Sequence, residues 1–375
     1  MIYGHGGDIY TYQDMLDFSV NVNPLGAPEG AVRAAEKGAG EMAAYPDSRC
    51  RKLRAKLSRM QGIPGEHYLF GNGAADLIYR LVLAEKPKRA LIPVPAFSEY
   101  EQALRTVRCD IIYYETKLEN CFCIDDNFLK ELERPFDMVF LCSPTNPSGK
   151  TIARELLVQT AELCERRGIR LVLDECFAGF LEDGDAASML GETGHFRQLF
   201  LLRAFTKIYA MPGMRLGYGV SSDRELLERM ECAGQPWSVS IPAQEAGIAA
   251  LDESAYVKEA RRLVRVERSY LEGELEELGI KFVSSDVNFI LLYSEINLFD
   301  ALLDYGILIR DCGNYRGLKS GWYRIAVRRH EENRKLTDAL REIFRRSLRQ
   351  KTGGDGPPET NTQQKEIQQK TEAAG

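Results

Sequence analysis

Short apolar runs that alternate with amphipathic stretches constrain the fold of this chain more than any other feature. The runs are RALIPV (89–94), DMVFLC (137–142), RLVLDE (170–175) and LFLLRA (199–204). Runs that are apolar on both faces suit strands buried on both sides of a sheet. Amphipathic helices are expected between them at 75–86, 98–107 and 153–168, the last with Gly168 as its C-cap. The alternation predicts an α/β fold with a mainly parallel sheet.

The pattern changes after about residue 240. A long helix is expected over 242–278, followed by strands in KFVSSDVNFILLY, GILIRDC and WYRIAVR and a closing helix over 331–348. We therefore predict a large α/β domain over 26–240 and a smaller α+β domain built from 1–25 and 241–350. The tail 351–375 is almost free of large apolar residues, and we expect it to be disordered, because it cannot offset its ordering entropy.

Composition narrows the class of protein. The chain is 44% hydrophobic and 28% charged with a net charge of −6, which is ordinary for a globular protein and unlike a nucleic-acid binder. No apolar run approaches the ~20 residues of a membrane span. The nine cysteines are scattered without a CxxC pair, which disfavours a metal site or a disulfide framework. We expect a cytoplasmic protein that binds neither membrane nor nucleic acid.

Polar side chains follow three of the predicted strands. Asn146 lies in SPTNPSGK after the strand 137–142, Asp174 ends RLVLD, and Lys207 follows LFLLRA. Ligands of open α/β sheets bind outside the carboxyl ends of the strands. Each residue also has an ordinary interpretation, as a turn cap, a helix cap or a surface lysine. Their occurrence on successive strand ends indicates a common site.

Two further features favour a phosphorylated pyridine cofactor at that site. FGNGAAD (70–76) turns on two glycines and opens a helix, whose free N–H groups and dipole suit a phosphate, and Arg215 could pair with the same group. A desolvated lysine is neutral and attacks an aldehyde. Asp174 would then face the ring nitrogen and keep it protonated, so that the ring withdraws electrons. The constellation describes a pyridoxal phosphate (PLP) site.

GNGAAD, SPTNPSGK, LDECF and TKIYAMPGMRLG, in this order, resemble the motifs of the fold-type I PLP-dependent enzymes of the aminotransferase superfamily. The resemblance spans about residues 1–348. It implies that Lys207 binds the cofactor covalently, that Asp174 faces the pyridine nitrogen and that Asn146 faces the ring oxygen.

The same resemblance assigns the remaining cofactor contacts. Phosphate would be held by the backbone amides of Gly73 and Ala74 together with Thr206 and Arg215. Phe97, in PVPAFSEY, would stack on the ring. Tyr45, in AAYPD, resembles a tyrosine that reaches the phosphate of the neighbouring subunit, which implies a homodimer with shared active sites.

Two positions depart from the superfamily pattern. Ala204 stands three residues before the lysine, where a serine or threonine is usual, and Phe177 stands where many members have a tyrosine that donates to the ring oxygen. Phe177 fits the threonine-phosphate decarboxylases of cobalamin biosynthesis. Segments HGGDIY (5–10), DFSVNVNPLG (17–26) and IRDCGNYRGLKSGWYRIAVR (309–328) also resemble that branch.

The branch implies decarboxylation of L-threonine O-3-phosphate to (R)-1-amino-2-propanol O-2-phosphate. Arg324 would bind the α-carboxylate, since its planar fork matches that group, although an edge-strand surface pair is an alternative. Candidates for the substrate phosphate are His5, Asn23, Arg310 and Lys319, with Arg316 weaker. His5 could instead be a turn residue, and Lys319 could be a solvated charge of a loop.

Three other functions stay open from residue types alone. The chain could be an aminotransferase such as histidinol-phosphate aminotransferase, because the core motifs are shared. It could decarboxylate L-serine O-phosphate, which differs by one methyl group. It could also be a PLP-binding module without catalysis, which the presence of Lys207, Asp174 and Asn146 disfavours.

Overall fold

The computed structural model describes residues 5–182 and 186–351. The helices are α1 Glu29–Ala39, α2 Arg51–Gln61, α3 Gly73–Glu85, α4 Ser98–Thr106, α5 Asn127–Glu131, α6 Arg154–Arg167, α7 Phe205–Ile208, α8 Arg224–Ala233, α9 Ile241–Ala250, α10 Ser254–Glu277, α11 Leu298–Leu303 and α12 His330–Lys351. The strands are β1 Leu16–Asp17, β2 Tyr68–Asn72, β3 Arg89–Val94, β4 Asp110–Glu115, β5 Met138–Cys142, β6 Arg170–Asp174, β7 Leu199–Ala204, β8 Leu216–Val220, β9 Lys281–Val283, β10 Phe289–Tyr293, β11 Ile307–Leu308, β12 Arg310–Asp311 and β13 Trp322–Ala326. The disorder expected for the tail concerns residues that, apart from position 351, lie outside the described residues.

A seven-stranded sheet forms the centre of the larger α/β part of the molecule. Its strand order is β2-β8-β7-β6-β5-β3-β4, and β8 alone runs antiparallel to its neighbours. The four apolar runs of the sequence are β3, β5, β6 and β7, so the prediction of a mainly parallel α/β sheet is confirmed. Parallel register brings the carboxyl ends of β5, β6 and β7 to one edge, where Cys142 lies beside Asp174 and Asp174 beside Leu202.

Two apolar cores cover the faces of this sheet, which explains why its strands are apolar on both sides. Along β6, Leu171 and Leu173 belong to one core and Val172 belongs to the other. Side chains of a strand alternate between faces, so each face of β6 is buried against its own layer of helices. The helices expected over 75–86, 98–107 and 153–168 are α3, α4 and α6, and Gly168 caps α6 with φ 67°.

The prediction of a single long helix over 242–278 is wrong. Helix α9 ends at Ala250 and α10 begins at Ser254. Helix α9 buries the small residues Ala243, Ala246 and Ala250 in the core of the large sheet, where it packs on α1 and α2. Helix α10 is amphipathic and buries Leu271 and Leu275 in a different core. The chain breaks between them because the two segments bury their apolar side chains against different layers.

A four-stranded antiparallel sheet, in the order β12-β13-β10-β9, carries Arg324 on β13. The antiparallel strands predicted near the C-terminal end are thereby confirmed. The N-terminal segment joins this part of the molecule, since β1 pairs in parallel with β11 and Phe18 is buried in the same core as Leu336 of α12. Within the described residues, no helix is both long and apolar enough to cross a membrane.

Candidate active site

Lys207 lies on the short helix α7, directly after the carboxyl end of β7. Its Nζ is 5.3 Å from the centre of the Phe177 ring. Burial lowers the pKa of this amine from its ordinary value to about 8, and the positive charge of Arg324 adds to the effect. A useful fraction of the amine is therefore neutral near neutral pH, and the neutral amine is the nucleophilic form.

Asp174 ends β6, beside the strand that leads to Lys207, and only 7% of its surface is exposed. One carboxylate oxygen, Oδ1, accepts a hydrogen bond of 2.9 Å from the backbone N–H of Cys176. The other, Oδ2, accepts a bond of 2.6 Å from the hydroxyl of Tyr100. Two donors therefore hold a buried negative charge at the sheet edge, which is what a ring-nitrogen partner requires. Tyr100 was not among the residues predicted for the site.

Asn146 lies in the loop after β5, and its side-chain oxygen accepts a hydrogen bond from Arg324. Arg324 is 6% exposed and also donates to the carbonyl of Ser19 at 3.1 Å. Its Nε is buried without a hydrogen-bond partner among the described residues. No carboxylate of the described chain forms an ion pair with it. A buried guanidinium in this state suits a ligand carboxylate, because an unmatched buried charge is costly.

The start of α3 and the side chain of Arg215 lie close together and form a candidate phosphate cradle. Gly73 has φ +80°, and a Cβ at this position would lie 2.5 Å from Nη2 of Arg215. A Cβ on Gly217 would lie 2.4 Å from the backbone nitrogen of Ala74. Free N–H groups of a helix N-terminus beside a guanidinium favour a dianion. Thr206 is buried on α7, next to Lys207 in the chain.

Phe97 borders a cavity of about 520 Å³. The chemistry of this cavity is set by the side chains His5, Glu101, Arg105, Arg310 and Arg316. His5 arrives on the N-terminal segment, with Nε2 3.0 Å from Oε1 of Glu99 and its ring 6.2 Å from that of Phe97. Three arginines face one glutamate, Glu101, which pairs with Arg105 and Arg316, so these side chains give the lining a net positive charge. We refer to this space as the cationic cavity.

The other predicted substrate residues occupy different positions. Arg310 lines the cationic cavity, donates to Oδ1 of Asn314 at 2.9 Å and lies over the ring of Tyr315. Lys319 is exposed and is not part of the cavity lining. The side chain of Asn23 is buried and donates to the carbonyl of Ile208 at 2.7 Å, so it holds the backbone beside Lys207.

The two departures from the superfamily pattern are visible in the packing. Phe177 is buried and packs edge-to-face on Phe289 at 5.0 Å, so this position provides no hydrogen-bond donor. Ala204 ends β7 and pairs with Gly217. Tyr45, which the resemblance assigns to a neighbouring subunit's site, is 79% exposed and stacks on Trp237 at 4.6 Å.

The α/β sheet with a lysine, an aspartate and an asparagine on its carboxyl edge defines the class that the motifs indicate, the fold-type I PLP-dependent enzymes. The chain belongs to the family described as aminotransferase class I and II, whose model matches residues 13–340.

The relatives include threonine-phosphate decarboxylases and histidinol-phosphate aminotransferases. The chain is 36% identical to the threonine-phosphate decarboxylase of Salmonella typhimurium, over 91% of this chain and 96% of the relative. It is 32% identical to a histidinol-phosphate aminotransferase of Symbiobacterium thermophilum, over 88% and 90%. The crystal structure of the histidinol-phosphate aminotransferase from Clostridium acetobutylicum superposes with a TM-score of 0.83 at 29% identity, covering 88% of this chain and 100% of the other.

Proposed function

We propose that this protein is a PLP-dependent decarboxylase that converts L-threonine O-3-phosphate to (R)-1-amino-2-propanol O-2-phosphate for cobamide synthesis. The observation that carries the proposal is that the protein has both a buried arginine with an unpartnered Nε, Arg324, and the cationic cavity beside Phe97. One site suits an α-carboxylate and the other a phosphate dianion, and the substrate carries both groups. The 36% identity to the Salmonella decarboxylase over nearly the whole chain supports the same function.

The residues of the sheet edge fit PLP as the cofactor. Lys207 would bind it covalently, with Asp174 at the ring nitrogen and Asn146 at the ring oxygen. Gly73, Ala74, Thr206 and Arg215 would hold its phosphate, and Phe97 would cover the ring. When bound, PLP supplies an electron sink for the pair of electrons released as a bond to Cα breaks.

The protein decides which bond to Cα breaks by orienting the substrate. The bond that stands perpendicular to the ring is the one whose electrons enter the π system, so the pocket selects the reaction. Arg324 would hold the carboxylate in that position, while His5 and Arg310 hold the phosphate in the cationic cavity. After CO₂ leaves, the ammonium form of Lys207 would donate a proton to Cα.

The structure gives less support for Lys319 and Asn23 as substrate-binding residues than for the residues that line the cationic cavity. Lys319 lies outside the cavity lining, and Asn23 already donates to the backbone at Ile208. We therefore propose that Asn23 positions the backbone beside Lys207. Lys319 would bind the substrate phosphate only if a second subunit or a conformational change of its loop brought the two together.

The proposed assembly is a cytoplasmic homodimer with shared active sites. Exposed Tyr45 stacks on Trp237, and exposed Met42 lies three residues before the tyrosine. A second copy that covers this aromatic pair would receive Tyr45 at its cofactor phosphate. Sedimentation of the purified protein would test this, with a dimer mass expected and a monomer mass opposing it.

Histidinol-phosphate aminotransferase is the competing function, because its substrate also carries a phosphate and the relatives include such enzymes. Incubation with threonine phosphate in the absence of a keto acid separates the two. We expect CO₂ and a phosphorylated aminopropanol, identified by mass. Turnover that occurs only with histidinol phosphate and 2-oxoglutarate would overturn the proposal. Serine phosphate should react about 10–200-fold less efficiently, since one methyl group is worth ~1–3 kcal/mol.

A further inference from the structure

Tyr100 is a buried residue of α4 that contacts two parts of the site at once. Its hydroxyl donates to Oδ2 of Asp174 at 2.6 Å, although the two residues are 74 positions apart. Its ring stacks on Phe140 with centroids 4.9 Å apart and meets Phe97 edge-on at 5.7 Å. Only 1% of its surface is exposed. The residue therefore links the acidic group at the sheet edge to the aromatic ring at the cavity.

The hydroxyl can serve only as a donor to Asp174 under ordinary conditions. Burial, with the negative charge of Asp174 in addition, raises the pKa of Tyr100 well above its ordinary value. Two thiols also lie close, those of Cys142 and Cys176, and burial raises the pKa of both. The thiol of Cys142 donates to the carbonyl of Pro144, and the thiol of Cys176 also contacts the Asp174 carboxylate. The 2.6 Å bond to Oδ2 comes from the Tyr100 hydroxyl.

The two bonds on Asp174 define its orientation. The N–H of Cys176 reaches Oδ1 and the Tyr100 hydroxyl reaches Oδ2, so the carboxylate is held from both ends. A carboxylate has about four lone-pair sites and retains acceptor capacity after accepting two bonds. A charge-assisted hydrogen bond to a ring N–H depends strongly on geometry. With Oδ2 released, the carboxylate could rotate about its Cβ–Cγ bond.

We propose that Tyr100 is a positioning residue, whose hydroxyl locks the Asp174 carboxylate so that it accepts a hydrogen bond from the ring nitrogen of the cofactor. This inference rests on the cofactor of the proposed function, and it is independent of which amino acid is the substrate. The alternative is a purely structural tyrosine that stabilises α4 against Phe140. The two roles differ in one respect: only the positioning role discriminates a ring nitrogen from a ring carbon.

The experiment compares two cofactors on the apoprotein. Dissociation constants are measured for PLP and for its 1-deaza analogue, in which a C–H group replaces the ring nitrogen. Their ratio isolates the interaction between Asp174 and the ring nitrogen. The variant Tyr100→Phe keeps the ring between Phe97 and Phe140 and removes only the hydroxyl. Tyr114→Phe is the matched control, because it removes a 3.2 Å tyrosine–aspartate bond to Asp125 elsewhere in the chain.

Wild type and Tyr114→Phe should both prefer PLP over the deaza analogue. In Tyr100→Phe, the preference should fall about tenfold, the effect of losing one hydrogen bond to a charged group. Equal weakening of both cofactors, with the ratio unchanged, would show a structural role and overturn the proposal. Circular dichroism of the apoprotein establishes that the variant is folded, and a variant that binds neither cofactor while folded would also contradict it.

The same measurements separate this inference from the proposed function. If the wild type itself binds PLP and the deaza analogue equally, Asp174 does not face the ring nitrogen, and both the inference and the assignment of Asp174 fall. If the wild type discriminates and Tyr100→Phe discriminates equally well, only the role of Tyr100 is refuted.

Discussion

Arg324 of the small antiparallel sheet donates a hydrogen bond to the side chain of Asn146, which is 178 residues away and follows a strand of the large sheet. The bond joins the two parts of the molecule at the point where a substrate carboxylate and the cofactor ring oxygen would meet. Under the proposed assignments, substrate recognition and cofactor binding would share this one polar contact. A carboxylate bound to Arg324 would then lie beside the ring.

Replacing Arg324 by alanine should raise KM for threonine phosphate, while the protein still loads fully with the cofactor at saturating PLP. Loss of one member of a buried charged pair costs ~2–5 kcal/mol, so we expect kcat/KM to fall at least about 30-fold. Steady-state kinetics with absorbance of the bound cofactor would measure both effects. Arg328→Ala is the control, since this arginine pairs with Glu332 and is only partly buried. Unchanged kinetics in Arg324→Ala would refute its assignment.

The rate of cofactor uptake by the apoprotein should rise with pH, with an inflection near pH 8, and level off above it. The pKa of Lys207 is lowered to about 8, and only the neutral amine attacks the aldehyde. Below pH 8 the neutral fraction drops about tenfold per pH unit, and so should the rate. Stopped-flow absorbance would record it.

Variants of Arg324 and Lys207 test whether the pH profile of cofactor uptake reports the titration of Lys207. Arg324→Met removes a positive charge that lowers the pKa of Lys207, so the inflection should move to higher pH. Lys207→Ala should show no covalent uptake at any pH, while the exposed Lys52→Ala should behave as wild type. An inflection near pH 10 in the wild type would contradict the account of a desolvated amine.

Gly73→Ala should weaken cofactor binding through the phosphate cradle. The added Cβ would lie 2.5 Å from Nη2 of Arg215 and would sit on a backbone with φ +80°. Gly62→Ala is a matched control, because Gly62 has φ +69° with nothing within 4 Å of the Cβ position. Both variants should lose ~1–2 kcal/mol of stability from the left-handed backbone. Only Gly73→Ala should raise the Kd for PLP, and equal Kd values for the two would argue against the cradle.

Much of the large sheet was predictable because its central strands are buried on both faces and are therefore apolar throughout. Strand β8 was not predictable in this way, since LGYGV contains two glycines and resembles a turn. The packing explains them: a Cβ on Gly217 would meet the backbone of Ala74, and one on Gly219 would lie 2.3 Å from the Phe200 ring. The start of α3 packs on Gly217, and a side chain of the adjacent strand covers Gly219. A one-dimensional pattern records neither contact.

The site was predictable to a similar degree. Lys207, Asp174 and Asn146 follow successive strands, so parallel topology alone brings them to one edge. Tyr100 lies inside an amphipathic helix and looks like an ordinary core residue. The one signal is chemical, since a buried tyrosine hydroxyl needs a polar partner. Asn23 was assigned to the substrate, and its bond to the Ile208 carbonyl could not be foreseen because 185 residues separate the two.

The most direct test of the proposed reaction follows the hydrogen on Cα of threonine phosphate. We suggest threonine phosphate labelled with deuterium at Cα, incubated with the PLP-loaded protein, with the product analysed by mass spectrometry. Decarboxylation breaks the bond to the carboxylate, so the account predicts a phosphorylated aminopropanol that retains the label, together with one CO₂ per turnover. Release of the label to solvent, with an oxo acid as the product, would show transamination and contradict the account.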